Sequence, residues 1–348
     1  MKFREKAFVS QTLKVIHGYK ILSSLRHRYG KDCRVFLVRG KPGDIWLYLR
    51  VLHAYIKQKN ITKYVLIGDG KGLKTIAKLY PYIKCDIIPA SYYDGISLQS
   101  AWCFFGAEKL NMDLSLMWDV ELLYNRSAVR MLDQFNFIDS FYWFLFDLDR
   151  KSASPALPEF KKITSELENK FKSIGIKKNK TVIISPYAYC VRPLYPEFWI
   201  FLAKDLEAKG YSVFMMLDRK NEKNDFGFPD IFPSYYDCKA LLEYAGNFIG
   251  LRSGFCDIIS GCECNKVILY PIKMEKFDGP YHRSELEYSS LMQMELCNDA
   301  HEIECHFCRN IRDQNPEIEN FEERISQNKK LINSILSTFP AIKKGKSE

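Results

Sequence analysis

Three consecutive stretches, Cys33-Arg-Val-Phe-Leu-Val38, Arg39-Gly-Lys-Pro-Gly-Asp44 and Ile45-Trp-Leu-Tyr-Leu-Arg-Val-Leu-His-Ala-Tyr-Ile56, decide how this chain folds. The first is a short apolar run with the length of a buried strand, the second a glycine turn, and the third is long and apolar enough to be a helix. The unit then repeats: Tyr64-Val-Leu-Ile67 reads as a strand, Gly68-Asp-Gly-Lys-Gly72 as a turn, Leu73 to Tyr80 as a helix and Cys85-Asp-Ile-Ile88 as a third strand. Strands alternating with helices build a parallel sheet of the doubly wound kind. Upstream lies a basic, helical lead of about 30 residues.

Downstream the pattern stops and restarts. Residues 100 to 150 are crowded with aromatics, including Phe135, Phe137, Phe141, Tyr142, Trp143, Phe144 and Phe146. They read as helix packing at a domain junction or as a docking surface. Lys151-Ser-Ala-Ser-Pro-Ala-Leu-Pro158 trades apolar periodicity for Ser and Pro and reads as a linker. Alternation resumes with the strand Thr181-Val-Ile-Ile-Ser185, a helix from Pro196 to Lys209 stopped by Gly210, and the strand Tyr211 to Leu217. A helix from Tyr235 to Tyr244, a very short strand Asn247-Phe-Ile-Gly250, a helical turn over Gly254 to Gly261 and the strand Lys266 to Tyr270 complete it. The expected organisation is an amino-terminal Rossmann-like domain over 1–150, a linker over 151–175, a second Rossmann-like domain over 176–310, and a terminal helix and tail over 311–348. At roughly 150 residues per domain, 348 residues make about two.

Composition is globular, 47% hydrophobic and 27% charged, which excludes disordered and collagenous classes. Charge breaks every apolar run before the ~18 residues a membrane span requires, and Met-Lys-Phe-Arg-Glu-Lys lacks the apolar core of a signal peptide. Eleven cysteines without an export signal read as reduced thiols, so the cytoplasm is the expected compartment. The net charge of +9 is lopsided. Residues 1–84 carry 19 Lys/Arg against 4 Asp/Glu, a net +15, which leaves −6 for the remainder. This surface is either a solvated lysine-rich face or an attractor of anions such as the acidic face of a membrane. Nucleic acid is not expected, because no zinc-finger, KH or RRM signature accompanies the basic residues.

In open α/β sheets ligands bind beyond the carboxyl ends of the strands, so the turns are where chemistry is sought. Phe248-Ile-Gly-Leu-Arg-Ser-Gly-Phe-Cys-Asp-Ile-Ile259 puts Arg252, Ser253 and Gly254 in a strand-to-helix turn. A guanidinium, a hydroxyl and bare backbone N–H groups suit a phosphate, and Asp257 suits a sugar hydroxyl. The same residues also satisfy a plain reading, a capping serine with an acid in the first helical turn. Ser185-Pro-Tyr-Ala-Tyr-Cys-Val-Arg192 occupies the equivalent turn after the first strand of this half, offering Tyr187 and Arg192. In the first half, Lys41 and Gly43 lead to Asp44, which either caps its helix or projects as a general base. Cys297, His301 and Cys305-His-Phe-Cys308 contain zinc-like ligands at spacings that match no closed zinc pattern. No metal site is expected. Cys262-Glu-Cys264 reads as packed thiols. Gly68-Asp-Gly-Lys-Gly72 lacks both the Walker and the dinucleotide spacing.

Two α/β halves, Gly43-Asp44 after the first strand, and Ser253-Gly254 with Asp257 late in the second half resemble the GT-B glycosyltransferases. In particular the chain is similar to bacterial polysaccharide transferases related to the heptosyltransferases. It departs from that pattern in having Arg252 before the serine and Asp257 where that family has a histidine. The resemblance implies two Rossmann-like doubly wound domains facing across a cleft. It also implies an inverting, metal-independent transfer of a sugar from a nucleotide-sugar, with no cofactor, to a glycan or lipid-linked acceptor in O-antigen or capsule synthesis. Asp44 would be the catalytic base. Arg252, Ser253, Gly254 and Arg192 would hold the leaving diphosphate, and the basic first quarter would rest against the inner membrane surface. Two other readings stay open. One is a polysaccharide pyruvyl transferase, whose Ser-Arg-x-His run Leu251-Arg-Ser-Gly254 does not provide; the other is a non-catalytic membrane-surface docking protein.

Overall fold

A computed structural model of the 348-residue chain describes residues 2–68, 70–115, 141–149, 151, 153–188, 193–218, 222–271, 300–305 and 321–342. The chain divides into two compact units, Met1–Glu159 and Phe160–Glu348. The segment expected as a linker over 151–175 contains a helix, Ser165–Ser173. Its Leu167 and Phe171 are buried, so its second half is part of the second unit.

Unit 1 starts with helix α1 (Lys2–Tyr29). Strand β1 (Arg34–Val38) feeds α2 (Pro42–Gln58), β2 (Tyr64–Gly68) feeds α3 (Gly70–Ala77), and β3 (Ile87–Pro89) follows. Helix α4 (Tyr92–Phe105), the single turn α5 (Ala107–Leu110) and β4 (Met112–Leu114) complete the set. All pairings are parallel and the strand order is β3-β2-β1-β4. Helix α3 begins inside the stretch read from sequence as a glycine turn. Glycine is needed at position 68 for another reason. A Cβ there would lie 2.2 Å from the Val38 carbonyl oxygen, so only hydrogen lets β1 and β2 come this close at their carboxyl ends. Helix α4 was not anticipated, although its start is well encoded: Ser91 Oγ accepts from the Asp94 amide at 3.1 Å and Asp94 answers the Ser91 amide at 3.1 Å.

The core of this unit joins Val35, Leu37, Val65 and Ile67 of the sheet to Leu22 and Leu25 of α1 and Leu98 and Ala101 of α4. Burying a side chain of this size contributes ~1.5–3 kcal/mol. Part of the aromatic segment packs on α2, with Phe146 between Tyr48 (5.0 Å) and Tyr55 (4.9 Å), while Trp143 is exposed. Phe135 and Phe137 lie outside the described residues.

Unit 2 comprises α6 (Ser165–Ser173), β5 (Thr181–Ser185), α7 (Pro196–Ala208), β6 (Ser212–Met216) and β7 (Asp230–Ile231). It continues through α8 (Cys238–Ala245), β8 (Gly246–Leu251), α9 (Gly254–Ile258), β9 (Asn265–Pro271), β10 (Ala300–Cys305) and α10 (Phe321–Ser337). Its sheet is again wholly parallel, in the order β10-β9-β8-β5-β6-β7. Numbered from its own first strand this is the 3-2-1-4-5-6 order of a complete Rossmann fold, and unit 1 holds the first four strands of that scheme. Every residue of β5 is buried, so both faces of the sheet are covered, as a central parallel strand requires. Strand β10 was not read from sequence; its Ala-His-Glu-Ile-Glu-Cys run is too polar for the buried-strand pattern, yet Cys305 is buried. The charged terminal helix is α10, and it seals the core through Leu331, Ile332 and Ile335.

Candidate functional site

Both sheets reverse direction beside their first strand, between β1 and β4 in unit 1 and between β5 and β8 in unit 2. At such a reversal the connections leave in opposite directions and open a crevice beyond the carboxyl ends of the strands. The candidate residues converge on these two places.

In unit 1, Pro42 opens α2 and Asp44 sits in its first turn. The Lys41 amide donates to Asp44 Oδ2 at 2.9 Å, so the carboxylate is tied to its own helix start. Asp44 is half-buried, Gly43 buried and Lys41 exposed. The geometry therefore gives Asp44 the capping role and a fixed direction together. Ser115, which the sequence reading passed over, closes the other side of the reversal. Its Oγ accepts from the Arg39 amide at 2.9 Å and donates to the Arg39 carbonyl at 3.2 Å, and its amide donates to the Leu37 carbonyl at 2.8 Å. A hydroxyl pinned in this way locks the exit of β1 to the exit of β4. Beyond it, the Arg39 guanidinium lies over the Tyr92 ring at 4.9 Å.

In unit 2, β5 and β8 end together, Ser185 paired with Gly250, so Tyr187 and Arg252 each follow two residues later on neighbouring strands. Tyr187 is half-buried and packs on Phe226 with ring centroids 5.8 Å apart. Arg192 lies outside the described residues. Arg252 does not extend as the sequence suggested. Its Nη1 and Nη2 donate to Asp257 Oδ2 and Oδ1 at 2.9 and 2.7 Å, with side chains only 8% and 5% exposed, and Nη1 also bonds the Ser253 carbonyl. The two residues picked as ligand contacts are thus each other's partners. The cause is burial, because a guanidinium this far from water needs a counter-ion and the helix turn presents one five residues on. Burial alone pulls the Arg252 pKa down, but the Asp257 carboxylate outweighs it and holds the group firmly cationic.

The pair is stitched into the sheet. The Arg252 amide donates to the Leu269 carbonyl at 2.9 Å, and Ser260 Oγ to the Asp257 carbonyl at 2.7 Å. Tyr270 of β9 donates its hydroxyl proton to Glu302 of β10, tying these two neighbouring strands together beside the pair. Ser253 and Gly254 stay half-buried at the turn. Ser253 Oγ is 3.7 Å from Cys256 Sγ and does not cap the helix, unlike the capping serine of the plain reading. Cys262 and Cys264 are buried. Cys297 and Cys308 are outside the described residues, and among those described no group of three or more His, Cys, Asp or Glu is arranged to hold a metal ion.

No known family profile matches the sequence, and no curated protein matches it. Solved structures do. TibC, an iron-containing dodecameric glycosyltransferase from enterotoxigenic Escherichia coli, is 11% identical, with 88% of this chain and 77% of that one covered at a TM-score of 0.51. The fold is that of the GT-B glycosyltransferases. A family 9 glycosyl transferase from Veillonella parvula is 13% identical, covering 87% of this chain and 97% of that one at a TM-score of 0.47. The E. coli ADP-heptose lipopolysaccharide heptosyltransferase II is 11% identical, with coverages of 87% and 99% and a TM-score of 0.49. The fold class expected from the sequence, two Rossmann-like halves of the GT-B kind, agrees with this likeness.

Proposed function

We propose that this GT-B chain is an inverting glycosyltransferase. It moves a sugar from a nucleotide-sugar to a glycan or lipid-linked acceptor in cell-surface polysaccharide synthesis. The observation that carries the reading is the complete Rossmann strand order of unit 2 with Ser253-Gly254 at its reversal, in a fold shared with TibC. Asp44 takes the proton from the acceptor hydroxyl as its oxygen forms a bond to the anomeric carbon. The bond from that carbon to the diphosphate breaks, and its electron pair leaves with the nucleoside diphosphate. The hydroxyl of Ser253, the backbone N–H groups of Ser253 and Gly254, and Arg192 stabilise the charge that develops there, in place of a divalent cation. Tyr187 follows β5 at the same β5/β8 reversal of unit 2 and adds its ring to that turn. Arg252 and Asp257 act one step back, as the buried pair that fixes the turn. The basic surface of unit 1 holds the enzyme at the inner membrane face, where lipid-linked acceptors lie.

Thermal unfolding in the presence of UDP, GDP, CMP and ADP tests the reading. One nucleotide is expected to raise the midpoint in a concentration-dependent way, and no shift with any of them removes the transferase assignment.

A further inference from the structure

Helix α1 is apolar on two sides, and the described residues cover only one. Its inward side meets α4. Leu22 and Leu25 are buried, and Gly18 lies so close that a Cβ would sit 2.1 Å from the Ser97 carbonyl oxygen. On the opposite side, Val9, Leu13 and Ile16 follow one another at helical spacing and are 56%, 56% and 47% exposed. Tyr19 continues the strip to α4, where it packs on Phe105 at 5.7 Å. Phe105 in turn packs on Phe104 at 4.9 Å, and Phe104 is 72% exposed. A soluble helix buries one stripe and gives the other side to polar residues, so two stripes call for two covers.

The charge on α1 says what the second cover is. The helix holds seven Lys/Arg against a single acid, Glu5, and the exposed Lys20 stands one turn beyond Ile16 on the outward side. A second copy of the chain would bring this basic helix against its own image, which like charges oppose. An anionic bilayer surface supplies apolar depth for Val9, Leu13 and Ile16, opposite charge for the lysines, and an interfacial zone that suits Tyr19 and Phe104. No described helix is long and apolar enough to cross a membrane, so α1 lies along the surface.

We infer that the outward stripe of α1, with Phe104 of α4, is the membrane-docking face of this protein and that its partner is an anionic lipid surface. The inference rests on the membrane-facing part of the function proposed above and gives it a location. The experiment is co-sedimentation of the full chain with phosphatidylcholine vesicles, with and without phosphatidylglycerol. The wild type is expected to partition at least about tenfold better onto the anionic vesicles. Replacing Leu13 and Ile16 together by Asp is expected to lower that binding by about tenfold or more, and Lys20→Glu by about fivefold. The variants' melting curves and nucleotide shifts are expected to stay at wild-type values, because the altered side chains are exposed. Equal partitioning onto both vesicle types, or unchanged binding of the double variant, overturns the inference. A double variant that changes the mass in light scattering but not the vesicle binding assigns the stripe to a second copy instead. A nucleotide shift without vesicle binding removes the docking face and leaves the transferase reading standing; vesicle binding without a nucleotide shift does the reverse.

Discussion

The two strand-order reversals share a topology and treat their charged residues in opposite ways. At the β1/β4 reversal of unit 1, Asp44 is half-buried and accepts from the Lys41 backbone amide at 2.9 Å. At the β5/β8 reversal of unit 2, Asp257 and Arg252 are buried and bind each other through two hydrogen bonds. A half-buried acid at a helix start stays close to water, whereas one paired with a guanidinium inside the fold has become part of the framework. On the reading proposed above, unit 1 supplies a side chain for the chemistry, and unit 2 supplies backbone and a hydroxyl at the turn that the buried pair fixes.

The sharpest way to break this contrast is Asp44→Asn. The amide oxygen can still accept from Lys41, so the helix start is kept while the base is lost. Transfer measured with radiolabelled donor is expected to fall ~10²- to 10⁴-fold with the nucleotide-induced thermal shift unchanged. Unaltered turnover would show that both acids are structural. Next in size is Asp257→Ala, which strands the Arg252 charge in the interior and is expected to cost ~3–5 kcal/mol in urea unfolding. The double variant Arg252→Met, Asp257→Leu is expected to regain most of that loss. A single variant as stable as wild type would mean that Arg252 has another anion to face. The smallest effect belongs to Ser115→Ala, which leaves the Arg39 amide without its acceptor. It is expected to cost ~1–2 kcal/mol by the same measurement, and a neutral result would detach Ser115 from the lock between β1 and β4.

Most strands of both sheets were legible because a parallel strand buried on both faces must be written as an uninterrupted apolar run, as in Val35–Val38 and Val182–Ile184. Strands that depart from this rule escaped notice. The strand β10 carries His301, Glu302 and Glu304 among its six residues, β4 is only Met112–Leu114, and β7 is two residues long. The helix start at Ser91 carries a capping box with Asp94, a local signal that the sequence reading passed over.

Sequence by itself determined the alternation of strand and helix, the restart of that alternation in a second half, the concentration of positive charge in the first 84 residues, and the turns where Asp44 and Arg252 would fall. These properties are local, set by the period of apolar residues and by glycine and proline at the breaks. Which charges the fold consumes is not local. That Arg252 closes on Asp257, that Ser115 meets Arg39 across 76 positions of chain, and that α4 covers one stripe of α1 and leaves the other bare were decided only when distant segments packed and burial set the cost of each unpaired group.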